Sequence, residues 1–529
     1  MLKKLKGWAL VLWILVVGVA YFILLPPINP SSVGFWAFFL PALFVPLFVI
    51  TQVFSLKDGF KKGKALWPVY LVVACILIYL IGSLIFSPLI SAKHYTTRIK
   101  INTSDFERDF IPVDFNNLPL LDKNSSQKVG DRVVGQVPEL VSQFSVSDEY
   151  SLINYNNEIV RVTPLEHNGF FKYMGNLKGT AGYVIVDTTT GEAKLVRTPE
   201  GLKYLPSAYM FHDLARHVRF HYPFDNLGET SFEVDESGTP YWIIQTISYT
   251  WVGLRPQVSG VIACNAMNGQ CTKYKVNEVP AWIDNVYDAS LVISEIDSWG
   301  LYQNGYFNSL FAQKNVVQTT DGYTYITADD DVFMYTGITS IATDESNIGF
   351  VLVNLRTHEA KYYEIPGAEE FSAMDSAVGA VQEKNYTSTF PLLINLNKRP
   401  TYLLSLKDSA GLVKMYAFVD VKDYQKVSVS DSALGIENAA KEYLRIFYAD
   451  TPISEYSETV MTVNTLREMV VNGNTRYYLT DMDNNRYSLD TNINFAVTAF
   501  IEPGNSYKVS YYENDGLRVI AKIEEYHEQ

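Results

Sequence analysis

Three long uncharged runs of apolar residues open the chain and dominate its hydrophobic pattern. They extend from Gly7 to Leu25, from Gly34 to Phe54 and from Ala65 to Ala92. A helix rises about 1.5 Å per residue, so roughly 20 apolar residues cross a hydrocarbon core of about 30 Å. Pro-Pro-Ile-Asn-Pro follows the first run, where a signal peptide would carry a small-x-small cleavage site. We therefore predict a three-helix transmembrane anchor over residues 1–92.

Lysine residues precede the first run and lie between the second and third runs, and they determine the predicted orientation. They are Lys3, Lys4, Lys6, Lys57, Lys61, Lys62 and Lys64. The loop over residues 26–33, between the first two runs, carries no charge. Because cytoplasmic loops retain Lys and Arg, we predict that the N-terminus and the lysine-rich loop face the cytoplasm. Three crossings then place everything after Ala92 outside, with residues 7–92 contacting the lipid bilayer.

Two segments further along the chain repeat each other at a constant offset of 167 residues. Gly182 to Pro199 and Gly349 to Pro366 each consist of an apolar strand, a polar turn and a second strand. Both segments end in a proline and share Glu-Ala-Lys after the turn. Repetition of whole segments at a fixed spacing is typical of duplicated structural units.

The correspondence continues after both segments. A run with helical periodicity follows each of them, at about 207–220 and 369–383, and then an extended run containing Pro240 or Pro400. These patterns predict a membrane-anchored α+β fold. Two tandem duplicated α+β units, at 130–278 and 279–429, follow a linker at 93–129.

The last hundred residues have a different pattern. Residues 430–448 combine a capping Asp431 or Ser432 with apolar positions at near-helical spacing, which predicts an amphipathic helix. Five short strand patterns separated by Asn- and Gly-rich turns follow. We therefore predict a helix plus a small β-barrel of SH3 or OB type over 430–529.

The strand and turn from Asp187 to Glu192, followed by a helix and a β-meander, resemble the PepSY-type domain of bacterial envelope proteins. The second copy has Asn354 and His358 where the first has Asp187 and Gly191. More broadly, the stretches beginning at Tyr335, Asp344 and Leu406 resemble an uncharacterised family of bacterial membrane-anchored proteins. The resemblance implies a multi-pass protein of the bacterial cytoplasmic (inner) membrane whose domain outside the cytoplasm binds partners.

Charge narrows the range of partners. Residues 101–529 contain 33 basic and 56 acidic residues, a formal charge of −23. An acidic domain does not attract nucleic acid electrostatically. We therefore expect no nucleic-acid partner.

The chain has three cysteines, and two of them flank an Asn-Gly turn. Cys264 and Cys271 lie on two short strand patterns around this turn, while Cys75 lies in the third apolar run. Cysteines that flank a hairpin can reach disulfide distance, and an oxidising compartment would let the bond form. Free thiols and a zinc pair are the alternatives, although no matching second Cys or His pair is present.

Two groups of residues are candidates for metal binding. His217 and His221 lie one turn apart on the predicted helix, so both could contact one metal ion. Asp329 and Asp331, with Asp330 between them, could supply oxygen ligands for calcium. Structural or surface histidines and a solvated turn are the alternatives, because neither His-Glu-x-x-His nor the calcium-loop pattern is present.

Catalytic motifs do not stand out in the sequence. It contains no Gly-x-Ser-x-Gly and no phosphate-binding Walker loop. We therefore predict no catalytic residues and no cofactor. The predicted function is a non-enzymatic, membrane-tethered scaffold or binding protein of the cell envelope, with an envelope protein or glycan partner and possible self-association. The alternative is an envelope hydrolase or cation-dependent enzyme with its site in the ectodomain.

Overall fold

A computed structural model describes residues 2–58, 67–111, 113–115, 117–328, 330–341, 343–448, 457–471, 474–491, 493–514 and 517–526. The chain divides into two compact units, Met1–Ala439 and Ala440–Gln529. Each unit is described by itself.

The N-terminal region is helical. Its helices are α1 (Leu2–Leu24), α2 (Val33–Asp58), α3 (Trp67–Phe86) and α4 (Pro88–Thr96). By length and composition, α3 is one helix that could cross a membrane, while the apolar stretches in α1 and α2 are shorter. The third predicted run therefore corresponds to two helices, because Pro88 lacks an N–H group and starts a new helix at its first position. Lys61, Lys62 and Lys64 lie outside the described residues.

The segment 93–129 is structured and is not a linker. Within it, β1 (Ile101–Ser104) pairs in parallel with β15 (Ala360–Tyr363), far away in sequence, and α5 (Phe106–Asp109) follows. The backbone N–H and C=O groups of β1 extend a sheet edge, so this stretch belongs to the folded core. The sequence missed it because four residues carry too little periodicity to predict a strand.

The next part of the chain contains two copies of a similar succession of helices and strands. The first copy comprises α6 (Lys123–Gly135), α7 (Pro138–Val141), β2 (Phe144–Val146), β3 (Ser151–Tyr155), β4 (Glu158–His167), α8 (Phe170–Gly175), β5 (Thr180–Asp187), β6 (Ala193–Leu202), α9 (Leu214–His221), β7 (Asn226–Val234), β8 (Pro240–Trp251), β9 (Leu254–Asn265) and β10 (Cys271–Lys275). The second copy comprises α10 (Ala289–Tyr302), β11 (Val317–Thr319), β12 (Thr324–Ala328), β13 (Asp331–Ser340), β14 (Thr343–Asn354), β15, β16 (Gly367–Ala368), α11 (Glu370–Gly379), β17 (Thr387–Ser388), β18 (Leu392–Leu396), β19 (Arg399–Lys407), β20 (Val413–Asp420) and β21 (Val427–Asp431). We call these copies the first and second repeats.

The two repeats share a core strand pairing, to which β1, β16 and β17 are added in the second repeat. A helix is followed by a sheet ordered β2-β4-β5-β6 in the first repeat and β11-β13-β14-β15 in the second, with β3 and β12 pairing the long second strand. A second helix then leads to an antiparallel sheet, β7 to β10 or β18 to β21. Gly182 and Gly349 both lie in the first strand of the central hairpin, and Pro240 and Pro400 lie at the start of β8 and β19.

The repeats begin at different residues from the predicted boundaries at 130 and 279. The first helix of each repeat starts after an aspartate whose carboxylate accepts a backbone N–H: Asp122 for α6 and Asp288 for α10. Such caps stabilise a helix by about 1 kcal/mol. The largely polar first turns of α6 hid its start from the periodicity analysis.

The central turns explain why the second repeat can depart from the first in sequence. The side-chain Oδ1 atoms of Asp187 and Asn354 each accept the N–H groups two and three residues further on. Gly191 and His358 both adopt left-handed backbone conformations at the next equivalent position, with φ of 77° and 65°. Asn can replace Asp here because both side chains present the same acceptor oxygen.

The two repeats interlock through reciprocal contacts. Gln245 Nε2 of the first repeat donates to the carbonyl oxygen of Val286, just before the second repeat's first helix, at 3.0 Å. Ser405 Oγ of the second repeat donates to the carbonyl oxygen of Leu120, just before α6, also at 3.0 Å. Ile243 of β8 shares a buried core with Val292 of α10. Each repeat's second sheet therefore supports the start of the other repeat.

The C-terminal unit contains a closed five-stranded sheet. Helix α12 (Ile436–Phe447) precedes it in the chain. Its elements are β22 (Ser457–Val471), β23 (Asn474–Asp481), β24 (Arg486–Asp490), α13 (Phe495–Thr498), β25 (Ser506–Asn514) and β26 (Leu517–Glu525). The strands close in the order β22-β23-β24-β26-β25 around a buried core that includes Met461, Leu479 and Ile523. Its assignment to an SH3 or OB type stays a prediction.

Candidate ligand site between the repeats

The two candidate histidine ligands occupy one helix and have other partners. On α9, the ring centres of His217 and His221 lie 4.4 Å apart. His217 Nε2 lies 2.7 Å from the carbonyl oxygen of Gly269, and His221 Nδ1 lies 2.8 Å from that of His217. Burial lowers the pKa of His217, which favours the neutral ring. Among the described residues, no group of three or more His, Cys, Asp or Glu side chains could hold a metal ion.

Of the two aspartate candidates, the structure describes Asp331. Asp331 is buried, and its Oδ1 and Oδ2 accept from Arg356 Nε and Asn354 Nδ2, both at 2.6 Å. These bonds fasten the start of β13 to the turn after β14. Asp329 lies outside the described residues. Asp331 therefore has a structural role rather than a free carboxylate to offer a cation.

Cys264 and Cys271 form a disulfide bond. They are directly opposite each other in the antiparallel pair of β9 and β10, with Cα atoms 4.0 Å apart. The bond therefore closes the turn of this hairpin, next to the buried core of the first repeat.

A cavity of about 420 Å³ lies between the two repeats. Strands β3, β4, β7 and β8 of the first repeat form one side, with Ser151, Arg161 and Ser231 among the lining residues. The start of α10 and the β12 region of the second repeat form the other side, where Asp288 and Tyr325 lie. Both repeats thus contribute to one polar site.

Arg161 is the unusual residue of this cavity. Only 7% of it is exposed, and its Nε atom is buried without a hydrogen-bond partner. Within the part of the chain that the structure describes, its guanidinium group makes no hydrogen bond or ion pair. Burial lowers the pKa of Arg161, because a low-dielectric environment penalises the charged form. A buried cation without a partner costs several kcal/mol, so this position requires an explanation.

The surroundings of Arg161 add polar groups that face an anion favourably. Ala289 and Ser290, in the first turn of the fourteen-residue helix α10, line the cavity. A helix N-terminus carries a partial positive charge. Tyr325 lies opposite, and burial raises the pKa of its hydroxyl. The Oε1 atom of Gln245 is also buried here without a partner, but as an acceptor it favours a hydrogen-bond donor of a ligand and not an anion.

The mouth of the cavity has the opposite charge. Glu149 and Glu229 line the cavity and are exposed to solvent. Both also border a neighbouring cavity of about 600 Å³, whose lining includes Asp148 and Glu166. The site therefore combines a basic floor with an acidic rim.

Sequence analysis did not identify Arg161, although the repeats contain a signal. Arg161 pairs with Val186, the residue before Asp187, and Met334 pairs with Val353, the residue before Asn354. Arg161 and Met334 are therefore equivalent positions on β4 and β13. The first repeat therefore has an arginine in the middle of a buried strand where the second repeat has an apolar residue. This difference is the sequence signal for an unusual site.

Comparison of the sequence with protein-family models and with curated proteins finds no match.

Proposed function

We propose that this protein is a non-enzymatic, membrane-tethered binding protein or scaffold of the bacterial cell envelope. In this proposal α1, α2 and α3 cross the cytoplasmic membrane, and the two repeats and the C-terminal unit lie outside the cytoplasm. The repeats are PepSY-like and the closed sheet is of SH3 or OB type. The partner is an envelope protein or a glycan, and the protein can self-associate.

One set of contacts carries the orientation. The uncharged loop between α1 and α2 bonds directly to the first repeat: Ile28 N donates to Pro223 O at 2.7 Å, and Gly253 N donates to Ser31 O at 3.0 Å. These bonds support a location of this loop and the repeats on the same side of the membrane. The lysine-rich loop between α2 and α3 is then on the other side, in agreement with the retention of Lys and Arg in cytoplasmic loops.

Two arginines of α9 strengthen this junction. Arg216 Nε donates to Phe22 O at 3.1 Å, and Arg219 Nε donates to Leu25 O at 3.0 Å, so both bind carbonyl groups at the C-terminal end of α1. Cations at a helix C-terminus are favoured by the helix dipole. The guanidinium carbon of Arg216 also lies 4.3 Å from the centre of the Phe22 ring. The first repeat is therefore held against the end of the first predicted span.

Exposed aromatic and apolar side chains continue from this junction. The Phe211 ring contacts Phe22, with centres 5.9 Å apart, and yet 69% of Phe211 is exposed. Other exposed members of this surface are Phe170, Phe171, Met174, Met210 and Phe224. Aromatic residues concentrate at membrane–water interfaces, and large exposed apolar patches mark interaction sites. We interpret this surface as lying in the head-group region of the outer leaflet.

The charge near this surface also fits a membrane. Residues 168–178 and 203–224 contain Lys172, Lys178, Lys203, Arg216 and Arg219 but one acidic residue, Asp213. The domain as a whole is strongly acidic. Anionic lipid head groups attract basic segments, so an acidic domain with its basic part at the lipid end can dock without repulsion.

Cysteine labelling in spheroplasts tests the orientation. Ser237→Cys and Lys62→Cys are introduced separately into a Cys75→Ser background, and a membrane-impermeant maleimide is added. We expect Ser237→Cys, on an exposed turn of the first repeat, to be labelled and Lys62→Cys to react only after permeabilisation. The reverse pattern would contradict the proposed orientation.

Crosslinking in native membranes followed by mass spectrometry tests the scaffold role. We expect crosslinks to a second copy or to another envelope component. Recovery of the protein solely as an isolated monomer would contradict this part of the proposal.

A further inference from the structure

Arg161 gives the cavity between the repeats a group that can bind a carboxylate. A guanidinium group presents five N–H donors in a planar fork that matches a carboxylate. Buried polar groups in folded proteins are normally paired, and buried charges almost always are. Arg161 is at least nine-tenths buried, lines the cavity and lacks a partner in the described parts of the chain.

The acidic residues nearby do not neutralise Arg161. Asp288 lines the cavity, where its Oδ1 accepts the Leu291 N–H at 2.9 Å and the Ser290 hydroxyl, and it forms no ion pair with Arg161 among the described contacts. Asp122, whose charge acts on Arg161 from a distance, binds Lys407 Nζ. An external anion would therefore complete the site.

The rim specifies what else the ligand carries. Glu149 and Glu229 line the cavity and are exposed to solvent. Arg161 is the one basic residue among the described residues that line this cavity. The two glutamates would repel a simple dianion but attract a ligand whose outer end is an ammonium group. The volume of about 420 Å³ lies in the usual range for small-molecule sites.

We propose that this cavity binds a small amino-carboxylate, either a free amino acid or a short peptide, with the carboxylate on Arg161 and the ammonium group toward Glu149 and Glu229. This inference rests on the proposed function of the protein as a binding protein. The Ser151 hydroxyl, the first turn of α10 and Tyr325 line the cavity together with Arg161, while Ser231 Oγ donates to Glu233 at 2.9 Å.

Isothermal titration calorimetry on the full chain in detergent tests the proposal. The probes are the standard amino acids and a panel of dipeptides, and the stronger binder of each class is then compared with its C-terminal amide and its N-acetyl form. We expect at least one free amino acid or dipeptide to bind, amidation to abolish binding and acetylation to weaken it. Free amino acids and dipeptides are titrated separately, so the experiment shows which of these two classes of amino-carboxylate binds.

Arg161→Met is the decisive variant. Met occupies the equivalent position 334 in the second repeat, so the substitution introduces a residue that this fold already accommodates. We expect at least a hundredfold loss of affinity and, without ligand, a midpoint of thermal unfolding no lower than that of the wild type. Arg197→Met, on strand β6 of the same sheet and exposed, is the matched control and should bind normally.

Glu229→Gln is a second variant that does not depend on the core, because Glu229 is exposed. It should weaken binding of the free amine form but not of the N-acetyl form. Absence of binding by every probe, unchanged affinity of Arg161→Met, or equal binding of acetate and the amino-carboxylate would each overturn the proposal. Ligand binding in detergent does not depend on membrane orientation, and the labelling experiment does not depend on Arg161. A failure of the ligand proposal can therefore be distinguished from a failure of the proposed orientation.

Discussion

The indole ring of Trp251 occupies the space beside Gly82 that any larger side chain would fill. Trp251 lies at the tip of the β8–β9 hairpin, and its ring stacks on Phe86 with centres 5.5 Å apart and planes within 12°. A Cβ atom at residue 82 would overlap the indole. Glycine on α3 thus lets a hairpin of the first repeat dock against the helix that is long enough to cross a membrane.

Gly82→Leu should loosen this junction. Overpacking of a close contact costs about 1–3 kcal/mol, so we expect a lower midpoint of thermal unfolding for the full chain in detergent and faster proteolysis at the hairpin. Gly18→Leu on α1 is the control, because nothing lies within 4 Å of the Cβ that it adds. Equal stability of both variants would contradict the described contact.

Glu295→Ala should destabilise the second repeat strongly. Glu295 is buried on α10. Its Oε1 lies 3.4 Å from Arg98 Nη2, and its Oε2 lies 2.7 Å from His358 Nε2. Removing the carboxylate leaves the buried Arg98 without its counter-charge, which costs about 3–5 kcal/mol. Chemical unfolding monitored by tryptophan fluorescence measures this.

The control for this variant is Glu139→Ala, which breaks the exposed ion pair with Arg197. Exposed pairs contribute little because water screens them. If Glu139→Ala lowered the unfolding free energy as much as Glu295→Ala, burial would not be the cause.

Asp284 should make stability fall as pH rises. It is buried beside Glu233, and burial together with the Glu233 charge raises its pKa well above the usual range. The folded state therefore holds this proton more tightly than the unfolded state does. The stabilising effect is complete below the unfolded Asp value of about 3.9 and is lost as pH rises through the folded pKa.

Asp284→Asn cannot ionise and should reduce this loss. We expect the variant to be more stable than the wild type near neutral pH by about 1–3 kcal/mol, and the advantage to shrink as the solution is acidified. Thermal unfolding across a pH series measures the difference. Asp375→Asn, which alters an exposed side chain on α11, is the control. A constant difference between Asp284→Asn and wild type at all pH values would contradict this account.

The double substitution Cys264→Ala, Cys271→Ala should lower the unfolding free energy by about 2 kcal/mol, since a disulfide restricts the unfolded chain. The bond closes a short loop, with seven residues of sequence separation. Reductant should destabilise the wild type by a similar amount and leave the double variant unchanged. Equal behaviour of the two proteins with and without reductant would contradict a bonded pair.

Local patterns predicted the features that depend on a few neighbouring residues. The apolar runs correspond to helices, and the constant offset between Gly182 and Gly349 corresponds to two equivalent hairpins. Asp187 and Asn354 form the same turn because the acceptor oxygen and the following N–H groups are adjacent in the chain. In each case the physical cause lies within about ten residues.

By itself, therefore, the sequence determined the apolar helices, the two equivalent hairpins and the turns that these patterns mark. Tertiary structure alone decided that β1 joins the second repeat, that Asp331 binds Arg356 and that Arg161 has no described partner. Periodicity encodes which side of an element is buried, but it does not encode what that side meets. The charge and spacing of residues distant in sequence set those contacts, and they exist only once the strands that carry these residues have come together.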